Sequence, residues 1–79
     1  MENYFIFKNA DYTNRNIQIV VDKTENMDRH FPADGVEDET HAVLDTDYET
    51  FTSAVKHARI FQNAYCTFYP NFDISIVIL

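Results

Sequence analysis

The chain reads as an α+β domain: a small antiparallel or mixed β-sheet of four to five strands with one helix packed on one face, in the order β-β-β-α-β-β. Two observations predict this. Only Asp45 to Asn63 carries apolar residues at three- and four-residue spacing, the mark of an amphipathic helix. Every other apolar run is short and rich in β-branched and aromatic residues, which suits strands. Seventy-nine residues make a single domain over 1–79. A chain this short buries only ~60–65% of the surface its unfolded form exposes. A composition 46% hydrophobic and 15% aromatic nevertheless sets it apart from disordered chains.

Asn3 to Lys8 is the first expected strand, with Tyr4, Phe5, Ile6 and Phe7 pointing to both faces. Asn9 to Asn16 holds turn formers and makes the first connection. Ile17 to Val21 follows as a strand with Ile17, Ile19 and Val21 on one face, and the short link favours an antiparallel hairpin. Asp22 to Glu39 contains Pro32, Gly35 and many charges. It is expected to be a long loop with one helical turn near Glu25 to His30. His41 to Leu44 is a short third strand.

In the helix, Thr46-Asp47-Tyr48-Glu49 matches the pattern of a capping box. Phe51, Ala54, Val55, Ala58, Phe61 and Tyr65 form its apolar stripe. Tyr65 to Tyr69 is expected to be a fourth strand, Pro70-Asn71 a turn, and Phe72 to Leu79 a fifth strand. A crossover would place His41 to Leu44 parallel to Tyr65 to Tyr69. One helix leaves the other sheet face to Phe5, Phe7, Val20, Val77 and Leu79. Such a face is covered either by a second copy, as a homodimer, or by the long loop folding over it.

Charge narrows the function. The net charge is −7, which disfavours direct nucleic-acid binding and an anionic membrane surface. Between Asp22 and Glu49 there are ten acids against two bases. The expected partner-binding residues are Asp22, Glu25, Asp28, Asp34, Glu37, Asp38, Glu39, Asp45, Asp47 and Glu49, with Tyr12 and Phe31 as exposed aromatic anchors. Carboxylates along a surface repeat the charge of a row of phosphates and complement a basic groove. The competing reading is a solvated loop that keeps the protein soluble.

Catalytic chemistry has little to build on. A metal site drawn from His30, His41, Asp34 or Asp38 matches neither zinc nor calcium spacing. Cys66 with His57 lacks an oxyanion hole, and a thiol between Tyr65 and Thr67 in a strand is expected to be buried. A single glycine cannot make a phosphate loop. No catalytic residue, metal or cofactor is therefore expected. One cysteine and an N-terminus without a basic n-region or long apolar run point to the cytoplasm.

In its short length, its charge of −7, its one cysteine, its compact α+β pattern and its acid-rich Asp22 to Glu49, the chain resembles the small acidic inhibitors that bacteriophages make against host defence and nucleic-acid enzymes, of the anti-restriction and anti-CRISPR type. That resemblance is compositional. It implies a non-enzymatic protein in the host cytoplasm that occludes a nucleic-acid-binding site on a basic host protein. The alternatives are an acidic regulatory or antitoxin-like subunit of one cognate partner, and a small metal- or ligand-binding enzyme using His30, His41 and carboxylates.

Overall fold

The structure, a computed structural model, describes residues 3–32 and 37–79. Strands β1 (Tyr4–Asp11) and β2 (Asn16–Lys23) form an antiparallel hairpin. A 3-10 turn, Thr24–Asn26, leads into the single-turn helix α1, Met27–His30. Strand β3 (His41–Tyr48), helix α2 (Phe51–Phe68) and strand β4 (Asp73–Ile78) complete the chain. The sheet has four strands in the order β3-β1-β2-β4. It is mixed: β3 runs antiparallel to β1, and β4 runs parallel to β2.

The hairpin register explains both layers. Ile6 pairs with Val21, Lys8 with Ile19 and Ala10 with Ile17. Alternation puts these on the α2 side. There Ile6, Ile17, Ile19 and Val21 are fully buried with Ala54 and Ala58 of the helix. The two alanines let the helix lie close to the strands. Phe5, Phe7 and Val20 point the other way and form a second apolar cluster. Met27 and Phe31 pack over it, leaving Phe5 0%, Phe7 3% and Val20 3% exposed. The long connection thus folds over the second face. The apolar surface from which a face-to-face homodimer is expected is covered at its centre. Beyond Phe7 this face turns polar, with Asn9 opposite Gln18 and Asp11 opposite Asn16, so the cover has nothing apolar left to bury there.

Several boundaries differ from those expected. The hairpin loop is four residues, not eight, because Ala10 continues the inward alternation and is buried. Asp11 holds the loop through its side chain: Asn14 donates its backbone N–H (3.1 Å) and its side-chain amide (2.7 Å) to it. Asp45 to Tyr48 belongs to β3 rather than to the helix. Tyr48 is 8% exposed, lies opposite Tyr4 and donates its hydroxyl to Asp45 at 2.6 Å. The Thr46 capping box therefore does not form. Thr50 is the cap, accepting the Ser53 backbone N–H on its Oγ1 at 3.1 Å.

The expected fourth strand, Tyr65 to Tyr69, is not a strand, so the described sheet has four strands rather than five. Tyr65 to Phe68 are the last turn of α2, which keeps Tyr65 in phase with Phe61 and Ala58 against the core. Burial of that stripe overrides the β preference of the aromatic residues. The helix stops at Tyr69, before Pro70. The final strand is trimmed to Asp73–Ile78, and its parallel neighbour is β2, while β3 and β4 occupy opposite edges.

Candidate binding surface

The described acids do not form one patch; the fold sorts them. Asp22 is 4% exposed. It leaves β2 on the covered face and accepts three hydrogen bonds: from the Lys23 backbone N–H at 2.7 Å, the Asn26 amide at 2.9 Å and His30 Nε2 at 2.8 Å. Burial pushes the Asp22 carboxyl up, but the bonds from Asn26, His30 and Lys23 outweigh it and hold it below the usual range. Asp22 is thus the anchor of the cover rather than an accessible docking residue. A lone carboxylate at a strand end gives no sign of this; the Asp22, Asn26, His30 spacing of four and four is the only trace in the sequence.

Phe31 is likewise half-buried. It meets Phe7 edge-on at 5.4 Å and stacks on His41 at 4.4 Å. His30 lies 4.5 Å from the Phe7 ring, and His41 Nε2 donates to the His30 carbonyl at 2.9 Å. The two histidines are therefore brought together, but as struts of the cover. No three His, Cys, Asp or Glu side chains among the described residues are grouped to hold a metal ion. Tyr12 also packs inward, near Tyr69 and Phe72, and its hydroxyl donates to the Glu39 carbonyl at 3.0 Å. It ties the acidic segment to the hairpin rather than standing free.

The remaining acids gather at one place. Glu37, Asp38 and Glu39 lead into β3, Asp45 and Asp47 lie on it, and Glu49 follows it; all six are exposed. Between Glu37 and Thr50 there is no Lys or Arg. β3 is an edge strand of eight residues, about 25 Å long. The tract therefore lines one border of the sheet. Glu25 and Asp28 are exposed on the cover. Asp34 lies outside the described residues.

Local bonds fix several of these carboxylates. Asp38 Oδ1 accepts the Thr40 hydroxyl, the Thr40 N–H and the His41 N–H at 2.7, 2.8 and 3.0 Å. The Thr40 hydroxyl foremost, then these N–H groups, holds its carboxyl low. The Tyr48 hydroxyl, then the Thr46 N–H, does the same for Asp45. Burial and the Asp45 carboxylate together push the Tyr48 phenol up. Glu37 accepts the Val43 N–H at 3.3 Å. Glu39 and Glu49 are left without a comparable structural role for their side chains.

The β3 border is also irregular. Phe7 pairs with Val43 but Ile6 with Asp45, and Tyr4 with Tyr48, so β3 holds an extra residue at two points. Asp47 sits at φ 68° in the second irregularity. Bulges and charges of this kind prevent another strand from pairing there. The border is thus suited to contact through side chains.

The helix is the counterweight. α2 carries Lys56 and Arg59 and no Asp or Glu. Its exposed flank with Phe51, Thr52, Val55, Lys56 and Arg59 forms a shallow groove of about 460 Å³. Cys66, expected to be buried, is exposed because its segment is helical. Nine residues separate it from His57 along one helix, about 13 Å. His57 Nδ1 instead donates to the Ser53 carbonyl at 2.9 Å.

No helix among the described residues is long and apolar enough to cross a membrane. Comparison with protein-family models, curated proteins and solved structures gave no match. Fold and surface together define the chain as a small mixed-sheet α+β domain with an acidic strand edge.

Proposed function

We propose that this is a non-enzymatic binding protein that docks its acidic β3 border on a basic, nucleic-acid-binding surface of a partner protein and so blocks it. The observation that carries the reading is the set of six exposed acids from Glu37 to Glu49, uninterrupted by Lys or Arg, along one rigid sheet border. Glu37, Asp38 and Glu39 cluster before the strand and Asp45, Asp47 and Glu49 along and beyond its second half, with the acid-free stretch His41 to Leu44 between the two groups. Two anionic clusters on one border complement a basic surface. The proposed site is Glu37, Asp38, Glu39, Asp45, Asp47 and Glu49, with Glu25 and Asp28 contributing from the cover. The exposed Cys66 thiol fits a reducing compartment, and we place the protein in the cytoplasm.

Glu39 and Glu49 allow a clean test, since reversing Asp38 or Glu37 also removes bonds that shape β3. The double variant Glu39→Lys/Glu49→Lys shifts the local charge by four units and leaves the core intact. In affinity capture from an extract of the native cell, a partner retained by the wild type is lost by this variant, while circular dichroism shows an unchanged fold. Equal retention of the same partner by both chains contradicts the reading. An acidic regulatory subunit of one cognate partner is the second reading, favoured by the same border. It differs in that partner and nucleic acid bind together.

A further inference from the structure

We infer that the flank of α2 from Phe51 to Arg59 is a binding site for a small anionic amphiphile, a carboxylate on a medium-length apolar body. The groove there holds about 460 Å³, within the roughly 300–1,000 Å³ of small-molecule sites. Its lining is graded along the helix. Phe51 and Val55 offer apolar surface toward the N-terminal end, and Lys56 and Arg59 follow. The Tyr4 ring meets Phe51 edge-on at 5.8 Å and fixes that end. Phe51 to Arg59 spans about 12 Å of helix axis. The apolar body lies against Phe51 and Val55. Its carboxylate meets Lys56 and the Arg59 guanidinium, whose planar fork matches it.

Charge selects an anion. Lys56 and Arg59 are exposed, and among the described residues neither side chain has a carboxylate or hydrogen-bond partner. α2 carries no Asp or Glu. The nearest acid in sequence, Glu49, precedes Phe51, about 10 Å of helix rise from Lys56 and about 15 Å from Arg59. It stands at the apolar end, where it repels a carboxylate and so favours the same orientation.

Size and chemistry exclude larger occupants. The groove presents two apolar side chains, far short of the ~800 Å² that each partner gives to a standard protein interface. A second copy on a two-fold axis through the groove sets Lys56 and Arg59 against themselves. The acidic border of another copy matches their charge, but the exposed residues of β3 are Asp45 and Asp47, with no apolar group to enter beside Phe51 and Val55. An anionic bilayer is repelled by the net charge of −7. The site is also separate from the acidic border. His57, which meets the Tyr48 ring of β3 at 4.9 Å, lies on the opposite flank of α2.

NMR titration of the full chain with octanoate tests this, with 1-octanol and acetate as probes of body and head alone. Octanoate is expected to shift the Val55 methyl and Arg59 side-chain signals saturably at one site. 1-Octanol and acetate are each expected to bind there at least tenfold more weakly. Lys56→Gln/Arg59→Gln is expected to weaken octanoate at least tenfold with unchanged circular dichroism. Shifts that do not saturate or that fall elsewhere, 1-octanol binding as well as octanoate, or a double variant that binds like the wild type overturns the proposal. Val55 signals that move with protein concentration alone show a second copy in the groove and also overturn it.

Discussion

The Asp22 carboxylate does at residue level what the cover needs: it holds Asn26 and His30 over Phe5 and Phe7. Its folded carboxyl titrates below the unfolded one. The stability it supplies is therefore complete above the unfolded carboxylate range and is lost as pH falls through the depressed folded value. Asp22→Ala is expected to cost about 1–3 kcal/mol in urea unfolding at neutral pH, the cost of orphaning buried donors. It should also flatten the acid limb of the stability profile. A variant as stable as wild type, with the same acid limb, would show that Asp22 does not hold the cover. The acid count at Asp22 was legible in the sequence, but its role was not. Whether a carboxylate faces water or a folded-back turn depends on a contact between Asp22 and His30, eight residues apart, that no local pattern encodes.

Among the elements, α2 and β3 show where sequence patterns compete. Two Thr residues, Thr46 and Thr50, each stand before the amphipathic stripe. The choice falls on Thr50 because Tyr48 is needed in the sheet, opposite Tyr4 and bonded to Asp45. Thr50→Ala is expected to destabilise the domain by about 1 kcal/mol, and Thr46→Ala to change thermal unfolding far less. The reverse ranking would return the helix start to Thr46. The helix itself, the hairpin and the last strand follow from periodicity, since Ile17, Ile19 and Val21 alternate and Ala54, Ala58, Phe61 and Tyr65 recur by helical turns. Tyr65 to Tyr69 misleads because its aromatic residues suit a strand locally, while their phase with Phe61 suits the helix. The parallel β2–β4 pairing is set by packing of α2 across the sheet, a contact between distant segments.

For the whole molecule, the order β3-β1-β2-β4 divides the surface into an acidic border, a helix face bearing Lys56 and Arg59, and an apolar edge at Ile76, Ile78 and Leu79. The acid-rich tract could be read from sequence; its alignment along one edge could not, because that rests on β3 pairing with β1 rather than β2. The polarity predicts strongly salt-dependent partner binding, with affinity falling at least tenfold between low and high ionic strength, as isothermal titration would show. Affinity unchanged by salt would move the contact to the apolar edge. The most direct test of the acidic border is competition: the captured partner is saturated with its nucleic acid, and this protein is titrated in. Nucleic acid and this protein are expected to displace one another, and Glu39→Lys/Glu49→Lys to leave the nucleic acid bound. A stable ternary complex of partner, nucleic acid and this protein would contradict it.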